Sequence, residues 1–309
     1  MATMLTTVAL WFVCFSAGVV LQRRVSDPQH LSHVLFRIVL WGAVPIVTFF
    51  AYTTITLDQG AVETLPVVIV ASWTTLGLGV LWARLGSKEP RTQGLLALAT
   101  ALGNTANVGY PLAALVFGSQ GLAAAVIYSE FQFLIPTIAV AIGVARRFAG
   151  PASRAPAALR FRDVLRSWIV NPPVAVGAVA VALRLAGIDL SDVVEPIGPY
   201  AGLAFGVLGF LQLGVAMPLK RLAHGRADVY RAAVTLALRC GAAPLVLYLA
   251  GRITGADIPG VYLLLAATPV AFNTMIVSRV FDLDAELARL LIVTSTPLVI
   301  AGVLIWQAL

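Results

Sequence analysis

Inside an apolar stretch of the chain runs Gly103-Asn104-Thr105-Ala106-Asn107-Val108-Gly109-Tyr110-Pro111. Proline removes a backbone donor and its ring collides with the preceding turn, while glycine loosens the backbone. A continuous helix through these residues is therefore disfavoured. A second stretch of the same kind is Thr268-Pro269-Val270-Ala271-Phe272-Asn273. A helix that breaks exposes free N–H groups at one new end and free C=O groups at the other, and in hydrocarbon neither can stay bare. The N–H ends carry partial positive charge and suit a carboxylate. Asn104, Asn107 and Asn273 add amide donors and acceptors at the same depth. The chemistry these residue types support is reversible capture of a small organic anion. The plainer alternative is a pair of Pro/Gly kinks whose asparagines glue neighbouring helices together.

Two charges also fall inside apolar runs. Glu130 lies in Tyr128-Ser129-Glu130-Phe131-Gln132 and Arg239 in Leu238-Arg239-Cys240. A charge at mid-bilayer costs several kcal/mol unless paired or hydrated, which makes each a functional candidate. Glu130 is a candidate for carrying a coupling proton, and Arg239 for balancing a substrate carboxylate. Alternatively they pair with each other or with backbone carbonyls and fix helix packing. For Arg239 the structural role is favoured, because its own run is not a broken helix. His30 and His33 are too few for a metal site, so no metal is expected. Cys14 and Cys240 sit in apolar runs, as small buried residues rather than a disulfide. There is no HExxH, P-loop, Gly-x-Ser-x-Gly or dinucleotide fingerprint. The chain is not expected to be an enzyme, needs no cofactor, and must be driven by a gradient or the membrane potential.

These residues need elements to hold them. Of 309 residues 60% are hydrophobic and only 11% charged, against roughly 25% charged in an average soluble domain. Apolar runs read at 4–21, 34–55, 65–83, 92–117, 121–145, 164–186, 196–217, 228–251, 259–281 and 286–307. Each is long enough as a helix to cross about 30 Å of hydrocarbon. Helices satisfy their own backbone groups, and the runs lack the alternation of barrel strands. The expected fold is an all-α polytopic membrane protein with ten transmembrane helices. The first run has no basic segment before it and reads as a span rather than a cleaved signal.

With both termini outside the cytoplasm, the loops after runs 1, 3, 5, 7 and 9 hold every Lys and Arg except Arg184, Arg239 and Arg252. That is the positive-inside pattern, loop after loop, and it predicts a multi-pass protein of the cell membrane. The net charge of +7 does not imply nucleic acid, since the cations lie between apolar runs rather than on one soluble face. The chain divides into a first five-helix repeat at 1–148, a cytoplasmic linker at 149–163 containing Gly150-Pro151 and Pro156, and a second repeat at 164–309. Five is odd, so the second repeat is inverted. The interrupted runs are the fourth of each half, the sequence pointer to a transporter's central site.

Gly103-Asn104-Thr105-Ala106-Asn107, with Gly109 and Pro111, resembles the GNTxN segment of the auxin efflux carrier family. That family includes plant PIN proteins and bacterial permeases assigned to malonate or malate. Thr268-Pro269-Val270-Ala271-Phe272-Asn273, running on to Phe281-Asp282-Leu283-Asp284-Ala285-Glu286-Leu287-Ala288, is similar to its ninth-span block. The resemblance covers runs 4–5 and 9–10. It implies two inverted five-helix repeats, a scaffold and a transport domain, and a site where broken helices 4 and 9 cross. By that carry-over the substrate-binding set is Asn104, Asn107, Gly109, Pro111, Pro269 and Asn273, with Asn107 and Asn273 lining the anion site from either half. It also implies a homodimer. Plant members carry a long loop between the halves where this chain has a short one, so bacterial dicarboxylate permeases are the nearer comparison. The partners expected are a small carboxylate and the bilayer. A sodium-coupled symporter of the bile-acid type, a channel and a non-transporting receptor are the other readings.

Overall fold

A computed structural model describes residues 2–55, 59–132, 135–154, 172–217 and 225–308. Asp58, the linker beyond Arg154, Trp168, Asn171 and the loop with Lys220, Arg221 and His224 lie outside the described residues. Helix α1 spans Ala2–Arg24. Helix α2 (Pro28–Ile38) passes through a π-helical segment, Val39–Ala43, into α3 (Val44–Thr54). Next come α4 (Gln59–Gly86) and α5 (Pro90–Ala101), then a π-helical turn, Thr105–Gly109, leading into α6 (Tyr110–Gln132) and α7 (Ile135–Arg147). The second half continues with α8 (Pro172–Leu185), the single turn α9 (Ser191–Val194) and α10 (Gly198–Ala216). Helix α11 (Arg226–Leu236) joins α12 (Ala243–Thr254) through a third π-helical segment, Ala237–Ala242. Last are α13 (Gly260–Ala266), α14 (Asn273–Val280) and α15 (Ala285–Ala308). Among the described residues there is no β-strand.

Among the described residues seven stretches are long and apolar enough to cross a membrane: Met4–Arg24, His30–Thr54, Thr64–Gly86, Thr105–Gln132, Ser191–Ala216, Arg226–Thr254 and Ala285–Ala308. The shortfall from the ten expected runs has local causes. The fourth run breaks after Ala101, and its second part continues into the fifth with only Gly118, at φ 68° and ψ −158°, interrupting helical geometry. The ninth run is two short helices, α13 and α14. The sixth is described only from Pro172 onward, as a 14-residue helix. Trp41, Val70, Leu245, Leu298 and Ile305 all face outward and are more than half exposed. Apolar surface on this scale is what lipid covers, and the chain is a multi-pass membrane protein.

The three π-helical segments share one cause. Each precedes a helix whose second residue is proline, namely Pro45, Pro111 and Pro244. Proline cannot donate to the carbonyl four residues earlier, so the helix widens by a residue there. Val44 donates to Val39, Tyr110 to Thr105 and Ala243 to Leu238, each a five-residue step. All three widened turns border the junction of the broken helices described below.

Two buried apolar clusters form the interior. One gathers Trp11, Phe50, Leu122, Phe205, Tyr262 and Leu265; the other gathers Leu95, Leu98, Leu213, Phe281, Leu287 and Leu291. Helix α1 lies along α10, with the Trp11 ring stacked on Phe210 at 5.3 Å. Gly18 meets Gly214 there, and a Cβ at Gly18 would fall 2.9 Å from the Val215 nitrogen and 3.0 Å from the Gly214 Cα. The neighbour is backbone and cannot move aside. Gly18→Leu is expected to destabilise the protein by about 3 kcal/mol or more, as overpacking does. Thermal melting in detergent checks this, and an unchanged melting temperature would refute the tight approach.

At one end of the molecule the turn after α14 is a hub. Asp282 takes a left-handed conformation (φ 53°). Its Oδ1 accepts from Arg91 Nη2 at 2.7 Å, and its carbonyl accepts from Arg91 Nε at 2.8 Å. Its Oδ2 accepts from the Ala152 N–H at 3.1 Å. Thr92 Oγ1 donates to Asp284 Oδ2 at 3.0 Å. The Gly150 and Arg154 N–H groups donate to the Phe281 and Val280 carbonyls. The start of α5, the first residues of the linker and the α14–α15 turn are thus tied together.

Candidate functional site

The two stretches disfavoured as helix are both non-helical, and they meet. Leu102 and Asn104 leave helical geometry after α5, as do Thr268 to Ala271 after α13. Asn104 N–H donates to the Pro269 carbonyl at 2.7 Å, and Ala271 N–H donates to the Leu102 carbonyl at 2.9 Å. These two bonds pair Gly103 with Val270 in antiparallel fashion. Unwound backbone in an apolar interior must find partners, and each stretch supplies them for the other. Ser295 of α15 adds one more, its Oγ accepting from the Val270 N–H at 3.2 Å.

The pairing polarises the junction. The new N-terminal ends are Thr105–Val108, leading into α6, and Phe272–Asn273, at the start of α14. First-turn N–H groups of a helix have no partner within it, and they carry partial positive charge. Thr105, Asn107, Phe272 and Asn273 all line one cavity of about 250 Å³. Asn104 and Gln212 also reach it, and among the described residues neither Asn104 Nδ2 nor Gln212 Oε1 has a hydrogen-bond partner. A buried amide left in that state costs about 1–3 kcal/mol, so the cavity suits a polar occupant. Among the described residues lining it, Glu130 is the only carboxylate and there is no Lys, Arg or His.

The C-terminal ends face elsewhere. Arg239, 1% exposed, lies behind Gly103 and is absent from the cavity wall. Its Nε donates to the Thr268 carbonyl at 3.0 Å and its Nη1 to the Ala101 carbonyl at 3.3 Å. Its Nη2 reaches the Leu265 carbonyl at 3.4 Å and Thr268 Oγ1 at 3.2 Å. Ala101 ends α5, and Leu265 belongs to the last turn of α13. One guanidinium therefore holds the carbonyl ends of both broken helices. It does not pair with Glu130, and it borders a separate space of about 10 Å³ beside Ser72, Tyr128 and Gln132.

Of the expected substrate-binding residues, Asn104, Asn107 and Asn273 come together on the cavity wall, with Glu130 beside them. Gly109, Pro111 and Pro269 do not line it. They build it instead. A Cβ at Gly109 would come within 2.6 Å of Leu265 Cδ2, so glycine lets the two half-helices touch. Pro111 sets the widened turn that carries Asn107, and Pro269 lends its carbonyl to Asn104. Sequence reasoning missed Gln212, although a glutamine within Phe210-Leu211-Gln212-Leu213 is the same intramembrane polar signal that singled out Glu130. It also missed Phe36 and Phe272. With Gln212 these residues line both the cavity and a larger vestibule of about 1150 Å³. Arg37, Arg91, Arg154 and Arg279 stand around that vestibule with Asp282 and Glu286. Phe36, Gln212 and Phe272 thus stand between the cavity and the vestibule.

No family model matches the chain. It is 25% identical over 289 residues to a protein of Methanocaldococcus jannaschii named as an uncharacterized transporter, covering 89% of this chain and 88% of that one. It is 26% identical over 284 residues to an uncharacterized transporter of Methanothermobacter thermautotrophicus, with the same coverage of each. About nine-tenths of the chain is therefore similar to proteins named as transporters.

Proposed function

We propose that the chain is a secondary carrier that moves a small carboxylate across the cell membrane by alternating access. On this reading it is built from two inverted five-helix halves of the auxin-efflux-carrier type. The observation that carries the reading is the junction itself. Two helix N-termini, one per half, open onto a single cavity with Asn104, Asn107 and Asn273, while the opposite ends are already neutralised by Arg239. Each N-terminus is worth roughly half a positive charge, so together they match about one carboxylate. On this reading the vestibule, lined by Arg37, Arg91, Arg154 and Arg279 together with Glu89, Asp282, Asp284 and Glu286, faces the cytoplasm by the positive-inside rule.

Glu130 then carries the coupling proton. A carboxylate solute and an ionised Glu130 share about 250 Å³ with no side-chain cation between them. Like charges in so small an apolar-walled space repel strongly, so anion binding and protonation of Glu130 favour each other. The titratable side chains facing Glu130 are those of Tyr52 and Tyr110. Uptake of labelled small carboxylates into proteoliposomes tests the reading. Saturable flux without single-channel current is expected. Apparent affinity should fall as pH rises, and Glu130→Gln should remove that pH dependence while still binding the solute. Single-channel conductance, or a binding protein that never moves its ligand, would overturn the carrier. A pH dependence unchanged in Glu130→Gln would overturn the proton's assignment alone.

A further inference from the structure

We propose that Arg239 is a built-in substitute for a coupling cation, holding the carbonyl ends of both interrupted helices so that movement of solute through the adjacent cavity requires no bound sodium. The inference rests on the carrier reading for its transport consequence, and on geometry alone for its structural one.

Carriers with interrupted helices face a common electrostatic problem. The half-helix C-termini and unwound carbonyls present concentrated negative charge inside the membrane, and a sodium ion is a usual solution. Here three such carbonyls, those of Ala101, Leu265 and Thr268, together with Thr268 Oγ1, converge on the Arg239 guanidinium at 3.0–3.4 Å. Two helix C-termini carry roughly one negative charge between them, which one guanidinium balances. The planar fork of five donors serves both chains at once, which a single ammonium point charge does not. Among the described residues no carboxylate pairs with Arg239; its ionisable neighbours are Tyr128 and Cys240. The residue comes from neither broken helix. It projects from the π-helical turn Ala237–Ala242, with Pro244 just beyond. Gly103 leaves the space it fills, since a Cβ there would collide with Nη2. A second cation cannot enter the same carbonyl cluster against that charge. The ion is thus replaced by a side chain that never dissociates, and this separates the chain from sodium-coupled carriers of similar plan.

The test uses purified full-length protein. For the wild type, sodium is replaced by choline at constant ionic strength, and melting temperature and carboxylate uptake are both measured; neither should change. Arg239→Ala should melt lower, and millimolar methylguanidinium should restore roughly 5 °C in a saturable manner. Urea, of similar shape without charge, should restore nothing, and the wild type should ignore both. A purely packing role would not respond to a small cation. Arg239→Lys should fall between, keeping charge but losing the fork. Saturable sodium dependence of wild-type stability or uptake would overturn the proposal, and this arm decides it even if Arg239→Ala does not fold. So would an Arg239→Ala protein as stable as wild type. Absence of any uptake alongside the expected melting pattern would instead count against the carrier reading alone.

Discussion

Asn107→Ala and Asn273→Ala are each expected to lower apparent carboxylate affinity by about 10–100-fold while the protein expresses and melts as wild type. The size follows from losing a hydrogen bond to a charged acceptor, worth roughly 1.5–3 kcal/mol, with about 1.4 kcal/mol per factor of ten. Stability should be spared because both side chains face the cavity and neither holds the junction; the pairing uses the backbone of Leu102, Asn104, Pro269 and Ala271. Asn104→Ala differs in kind. Asn104 is buried with an unpartnered amide, so its removal should cost affinity but relieve an unsatisfied group. Concentration-dependent uptake into proteoliposomes, read beside melting curves, separates the cases. Two asparagine variants with wild-type uptake would place the solute elsewhere.

Gly103→Leu is expected to abolish the folded protein. No side chain fits between the unwound backbone and the Arg239 guanidinium. Expelling the guanidinium would strand the carbonyls of Ala101, Leu265 and Thr268 and leave a buried cation unpaired. Breaking a buried charge arrangement in this way costs about 3–5 kcal/mol, a large share of the roughly 5–15 kcal/mol that keeps a protein folded. Size-exclusion profiles and melting curves give the answer. A monodisperse variant with the wild-type melting temperature would mean that the junction is looser than its distances indicate.

The interruptions were legible because they are written in local chemistry. Glycine, asparagine and proline clustered within apolar runs oppose a continuous helix wherever they stand, and the structure breaks at those residues. The interruption at Gly118 was legible for the same reason, as a gap between two runs. What could not be read was which distant group answers each exposed end. The partner of α5 and α13 is Arg239, more than a hundred residues from Ala101, brought in by packing rather than by any motif. Its sequence neighbours, Leu238 and Cys240, carry no trace of that role. Pro111 was read as a breaker, whereas it widens a turn without ending the helical path, as Pro45 and Pro244 also do.

The two backbone bonds between Asn104 and Pro269 and between Ala271 and Leu102 act as a rivet through the middle of the molecule. Shearing it inside the bilayer would bare four peptide groups to hydrocarbon, each at a cost of several kcal/mol. Thermal agitation does not supply that on every turnover. The half-helices therefore cannot part to let cargo slip between them. On the proposed carrier reading, the solute rides with the rivet while the surrounding helices slide past, and Phe272, buried beside Ala271, rides with it too.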